Sequence, residues 1–466
     1  MNPLALIFLL GCAGALMGVS RKWAPVPLLL GCTYMTFGQG LHIGVSLPIY
    51  RLLLLVGVLR TVAKGEKLPG GLNIIDKMMM AWGGWVLFAS FFHDMTRAGP
   101  VTAAGEVFNV ALPYFLIRIW CTDLEEIREI VMIIALLMVP IMCFMALEKA
   151  TGKNIFAIFG GVPENTIIRE GRLRAQGPFR HPILAGTVGA TCIPLFIGIF
   201  KQHKTIAMIG IAAGVGMTFA SASSGPVMSL IVGIFGMMMW RWKSLVKPMR
   251  YGAVLMYIVL MFTMKKPPYF LISRIDLSGG STGWHRSFLI QQTIAYFHEW
   301  WLFGTDETRH WMPFQGIGND PHHTDITNYY IGFGVTGGFP AMLLVLLMMA
   351  CAFKWVGKVH DQRIESHPEQ SFMIWCVGAT LFAHAVNSLS VAYFDQSMLY
   401  FWLSVAVISS IYSVIQLEPE TDDGEDLEDD DEEEDPEAVA RANAEWRRKL
   451  RERAASQPLG LPNNLH

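Results

Sequence analysis

The feature that most constrains this chain is a long series of apolar runs, each close to the length that crosses the hydrocarbon core of a bilayer. They fall near residues 3–20, 24–42, 46–63, 75–93, 99–119, 127–147, 182–200, 205–222, 225–241, 250–264, 328–353, 371–390 and 396–416. In lipid every backbone N–H and C=O must be satisfied within its own element, so runs of this kind fold as helices. The expectation is an all-α integral membrane protein, a polytopic bundle of about 12–13 transmembrane helices. With 53% hydrophobic and 16% charged residues in 466, the chain is too apolar for a soluble domain of its size. The many Met, Trp and Phe inside the runs read as lipid-facing or packing residues.

Orientation follows from the short loops, because Lys and Arg are retained on the cytoplasmic side. Arg21 and Lys22; Arg60, Lys64, Lys67 and Lys77; Lys201 and Lys204; Arg241, Lys243, Lys247 and Arg250; and Lys354, Lys358 and Arg363 all fall on one side when the helices are counted. That parity puts the N-terminus outside, the C-terminal tail inside, and both long polar loops outside. The chain thus divides into N-terminal helices (1–147), an Arg-rich loop (148–181), central helices (182–264), a large loop (265–327), C-terminal helices (328–416) and a tail (417–466). The first run has no basic residues before it and no small-residue cleavage site, and reads as a retained helix.

Charge is distributed unevenly along the chain. Residues 418–466 hold 17 acidic and 6 basic side chains, which leaves 30 basic and 21 acidic residues, net +9, in residues 1–417. A basic membrane body suits anionic lipid or a phosphate-bearing substrate, although helix-end topology signals explain many of these charges. The acidic run from Glu418 to Glu437 reads as a solvated cytoplasmic tail or a docking segment for a basic partner. The seven cysteines lie in or beside apolar runs, never as C-x-x-C, which argues against a disulfide framework or a zinc site. The sequence shows neither a phosphate-binding glycine loop nor an Asp-x-Asp pair on the outer face, and neither a cofactor nor a nucleic-acid partner is expected.

Two loop segments carry the chemistry. Before residue 182 stand Arg169, Arg172, Arg174 and Arg180, four arginines in twelve residues on the side where positive charge is disfavoured. Guanidinium pairs bidentately with phosphate, and a diphosphate is a natural ligand at a membrane surface; anionic headgroups are the alternative. The large loop holds Arg286 and, at its end, His322 and His323 between Asp320 and Asp325, followed by Tyr329, Tyr330, Gly334 and Gly337. A histidine at the mouth of a bundle suits a general base. The His/Asp grouping also permits a metal, but adjacent histidines rarely reach one ion.

His323-Thr324, nine residues, then Gly334-x-x-Gly337 resembles the signature of the O-antigen ligase and lipid-linked polysaccharide polymerase family. The stretch from Arg174 through Gly177 and Phe179 to Pro182 is similar to that family's R-x-x-G-x-F-x-x-P element, and Arg286 to the arginine opening its large periplasmic loop. The likeness covers mainly residues 170–355. Thr324 stands where the family has Asn, Ser or Gln, and Ser221-Ala222-Ser223-Ser224-Gly225-Pro226 lacks the arginine of the family's Ser-Arg-Gly, so Arg172, Arg174 or Arg180 would have to substitute for it.

The resemblance implies a fold like the large membrane glycosyltransferases (GT-C-like) in the bacterial inner membrane. It also implies metal-independent transfer of an undecaprenyl-diphosphate-linked glycan to a glycan or lipid A-core hydroxyl on the periplasmic face. By it, His323 is the base, and Arg286 and Arg174 stabilise the leaving diphosphate. Arg172, Arg180, Arg169, His322 and Tyr329 support substrate binding. Tyr330 and the tryptophans at 284, 300, 301 and 311 could stack on sugar rings or form an interfacial belt. A transporter or lipid-linked glycan flippase is the alternative class.

Overall fold

The computed structural model describes residues 1–42, 46–93, 99–274, 283–312 and 322–417, with Arg448 alone beyond them. Asp320 and almost all of the acidic tail therefore lie outside the described residues. Every one of the thirteen apolar runs is a helix: α1 (Pro3–Gly18), α2 (Pro25–Tyr34), α3 (Ile49–Ala63), α4 (Ile74–Ala89), α5 (Gly99–Trp120), α6 (Leu124–Thr151), α7 (Pro182–Gly198), α8 (Lys204–Ala220), α9 (Ser224–Met238) and α10 (Lys243–Thr263). Two short helices in the large loop follow, α11 (Gly283–Ala295) and α12 (Phe297–Trp300), and then α13 (Tyr329–Arg363), α14 (Pro368–Asn387) and α15 (Gln396–Ile415). Among the described residues the strands form two small antiparallel pairs: β1 (Gly40–His42) with β2 (Ser46–Pro48), and β3 (Ile167–Arg169) with β4 (Arg172–Arg174).

Five helices, α5, α6, α10, α13 and α15, are long and apolar enough to cross a membrane, and α1, α7, α8 and α9 are shorter apolar helices. Local chemistry sets the ends. Asp123 caps α6 through Glu125 N, with Glu125 and Glu126 in its first turn, and Gly152 closes it at φ +71°. Asn73 and Asp76 form a reciprocal capping box at the head of α4. The core runs through α7 and α15, where almost every side chain is buried, whereas no residue of α10 is.

Polar contacts between the helix connections gather into two groups. One group is basic: Arg60 of α3 binds Val19 O and Glu66, Arg21 meets Thr122 and Glu126, Asn73 reaches Ser409 and Ser413, and Lys243 pairs with Asp361 beside His360. At the opposite end Asn2 binds Gln39, Gln39 binds Phe159 O, and Gln396 joins Met35 O to Pro178 O. This end also carries the first long polar loop, through Phe159 and Pro178.

One helix is interrupted. Gly337 and Gly338 of α13 leave helical geometry, Gly338 at φ +75°, ψ 179°, a conformation reserved for glycine. The loop after α12 fills the break: Thr305 N donates to Val335 O at 2.9 Å, Phe339 N to Trp301 O at 2.8 Å, and Trp85 Nε1 to Gly337 O at 2.7 Å. A Cβ on Gly338 would overlap the Leu302 carbonyl, and one on Gly334 would sit 2.6 Å from the Trp300 ring. Of the G-x-x-G pair, Gly334 therefore serves close packing of the large loop on α13, whereas a Cβ on Gly337 would meet Val86 of α4 and Ala341.

Candidate functional site

The Arg-rich loop is built around a tight hairpin. Glu170 (φ +50°) and Gly171 (φ +73°) form its two-residue turn, and the positive φ at both positions matches the twist that such a hairpin needs. The register pairs Arg169 with Arg172 and Ile167 with Arg174. Directly opposed residues, and residues two apart on one strand, share a face. Arg169, Arg172 and Arg174 therefore project from one side of the hairpin. The segment that follows is pinned by the Glu148 carboxylate, which accepts from Gln176 N (3.1 Å) and Gly177 N (2.8 Å), while Asn154 Nδ2 donates to Gly177 O.

Arg174 is only 6% exposed. It donates through Nη2 to Ser223 Oγ at 2.6 Å, and its Nε is buried with no hydrogen-bond partner. Of the three arginines expected to serve the Ser221–Pro226 corner, Arg174 reaches it with a hydrogen bond. Burial and the Arg169 charge both lower its basicity, and the same two causes act on Arg286, whose Nε is also buried without a partner. Arg169 of the hairpin thus acts on both Arg174 and Arg286. His181 completes the group: burial, then Arg174 and Arg169, push it down to about 4. The assembly is three guanidinium groups and a neutral imidazole brought together by four elements, and among the described residues two of its guanidinium N–H groups find no acceptor.

The segment carrying His323 is fastened to α11. His285 Nε2 donates to Asp325 O at 3.1 Å, one residue before Arg286. Thr308 N and Arg309 N both donate to His322 O at 2.9 Å, and Thr324 N donates to Thr308 Oγ1 at 3.0 Å. His322 pairs through Nδ1 with Glu307, so its ring belongs to this scaffold, whereas His323 is half-buried. Asn328 caps α13 through Tyr330 N and Ile331 N and donates to Leu389 O.

The other expected residues separate from this group. Arg180, largely exposed, faces Asp395 at 3.9 Å. Tyr329 is 4% exposed and packs on Phe333, Tyr393 and Phe401, so its ring has no face open to a sugar. Trp300 and Trp311 are buried too, which leaves Trp284 and Trp301 as the tryptophans of this loop with exposed rings.

Sequence reading passed over Asp395, the N-cap residue of α15. It is 8% exposed, its backbone sits at φ +57°, and its Oδ2 has no hydrogen-bond partner. Burial raises its carboxyl to about 6, against the pull of Arg180 and Arg51. A lone acid between two apolar runs was the available signal. Beside α11, α13 and α14 lies an apolar groove of about 790 Å³, lined by side chains including Ile294, Phe297, Asn328, Tyr330 and Leu346. Among the described residues no group of three or more His, Cys, Asp or Glu is arranged to hold a metal.

No protein-family model matches the sequence, and no curated protein matches it.

Proposed function

We propose that this chain is a multi-pass glycosyltransferase of GT-C-like build in the bacterial inner membrane. On this reading it moves a glycan from an undecaprenyl-diphosphate donor to an acceptor hydroxyl at the periplasmic face, as the resemblance to O-antigen ligases and polymerases implies. The observation that carries the reading is the convergence of Arg169, Arg174 and Arg286, with buried, unpartnered Nε groups on the last two. Like charges are not gathered and desolvated without an anion to compensate them, and a diphosphate supplies several acceptor oxygens to planar donors. The groove between α11, α13 and α14 supports the reading, since an isoprenoid chain needs an apolar path beside its headgroup.

In this mechanism His323 takes the proton of the acceptor hydroxyl as its oxygen attacks the anomeric carbon. The bond from that carbon to the diphosphate oxygen breaks, and Arg174 and Arg286 stabilise the charge that develops on the leaving group. Asn328, five residues beyond His323, lines the groove, so base and lipid path share one segment. The interrupted α13 resembles a transporter feature, but Val335 O, Phe339 N and Gly337 O at its break are already bonded to Thr305, Trp301 and Trp85.

The test compares variants at matched membrane abundance, with donor binding and product formation measured separately. His323→Ala is expected to bind donor normally and turn over roughly 10²- to 10⁴-fold more slowly. Arg174→Ala and Arg286→Ala should lose both binding and turnover, with Lys restoring only part because a point charge cannot replace a two-pronged contact. Near-normal turnover in folded His323→Ala would remove the base assignment.

A further inference from the structure

His181 occupies an unusual place in the arginine group. It is the N-cap of α7, and its Nδ1 accepts from Ile183 N at 3.2 Å. Leu184 N and Ala185 N are taken by His181 O, and Pro182 has no N–H, so the first turn offers no free backbone donor. With Nδ1 committed as an acceptor, a neutral imidazole carries its hydrogen on Nε2. Among the described residues that nitrogen has no hydrogen-bond partner. The Ser221–Pro226 corner to which Arg174 is bonded packs on the first turns of α7, where a Cβ on Gly225 would lie 3.3 Å from Ile183 Cδ1 and one on Gly186 would meet Ser221 and Pro226. Arg174, more than nine-tenths buried with its Nε unpartnered, is thus held beside the turn that His181 caps, and with Arg169 it lowers the basicity of the ring.

We infer that His181 is a further binding residue of the arginine site, donating from Nε2 to a phosphate oxygen of the bound diphosphate. The inference rests on the diphosphate reading above and adds a neutral donor to it. A fourth cation would add repulsion to an already crowded positive site. An imidazole N–H adds a hydrogen bond without charge, at a helix N-terminus whose dipole also favours the anion.

Two substitutions separate this role from capping. In His181→Asn the side-chain oxygen can replace Nδ1 as the cap, but the distal N–H is lost. In His181→Gln an amide N–H reaches the Nε2 position, but the cap is lost. Binding of inorganic diphosphate to the full chain in detergent is measured by calorimetry, alongside the melting temperature. The expected result is roughly 10- to 150-fold weaker binding for His181→Asn at an unchanged melting temperature, the effect of one hydrogen bond to a charged group. His181→Gln should melt lower yet bind within about threefold of wild type, and this variant decides the matter if the Asn protein does not accumulate. Wild-type affinity in folded His181→Asn, or a loss in His181→Gln as large as that in the Asn variant, overturns the inference and leaves the arginine site standing. If the wild type binds no diphosphate, or Arg174→Gln binds it as well as wild type does, the underlying reading fails and this inference fails with it.

Discussion

Replacing Gly338 with Ala tests whether the break in α13 is built around a residue without a side chain. At φ +75°, ψ 179° an L-residue pays about 1–3 kcal/mol of backbone strain. The added Cβ would also overlap the Leu302 carbonyl and lie 2.9 Å from Phe303 N, so the loop after α12 must move away. That movement strains the bonds from Phe339 N to Trp301 O and from Thr305 N to Val335 O, each contributing about 1 kcal/mol net. The total is about 3–5 kcal/mol, which at roughly 2 °C per kcal/mol for a chain this long lowers the melting temperature by about 6–10 °C. The control is Gly332→Ala in the same helix, where nothing lies within 4 Å of the new Cβ and the exchange is neutral or stabilising by about 0.5–1 kcal/mol. Tryptophan fluorescence of the detergent-solubilised protein follows the transition, since Trp300 and Trp311 are buried beneath the moved segment. Equal melting temperatures for the two variants would refute the argument.

Asp395→Asn should stabilise the protein near neutral pH. Because burial raises the folded carboxyl to about 6, the group costs nothing below about pH 4, destabilises increasingly as pH rises toward 6, and holds a constant penalty on the order of 3 kcal/mol above. Melting curves of the variant and wild type should therefore coincide at pH 4 and diverge at pH 7.5; the opposite order defeats the burial account. Transfer by the purified protein should persist in excess chelator, whereas loss of activity with rescue by a divalent ion would revive the His322, His323 and Asp320 metal alternative. Impermeant thiol reagents should label Asn165→Cys and Thr305→Cys in intact spheroplasts and leave Lys67→Cys unlabelled, and labelling of the Lys67 variant would invert the orientation.

Helix existence was legible because an apolar run in a membrane leaves the backbone one outcome, and even the run at 250–264, whose helix buries nothing, was readable by length. The separation of the basic connections from the first long polar loop followed from charge parity. The site was legible by residue type and not by partnership. Arg174 and Arg286 are more than a hundred residues apart, and their convergence depends on the hairpin turn at Glu170-Gly171 and on the seating of α11, neither of which has a hydrophobic period to reveal it. Gly334 and Gly337 could be recognised as a spacing, but the break itself sits at Gly338 and arises from a loop that crosses the helix. His181 and Asp395 each occupy a helix N-cap position, where a polar side chain already has an ordinary explanation, so sequence alone did not distinguish them.

The outer turns of α13 belong to two cores at once. Tyr329 and Phe333 pack into the main bundle, while Ile331 joins Leu289, Trp300, Trp311 and Met312 in a separate cluster beneath the large loop, with Val335 packed against it. A graft that takes the loop from a related chain but stops at residue 327 would cut through that second core and leave half of it behind. The portable unit runs instead from the start of α11 through Gly338, and a chimera joined at the glycine break inherits the loop with the helical face that holds it in place.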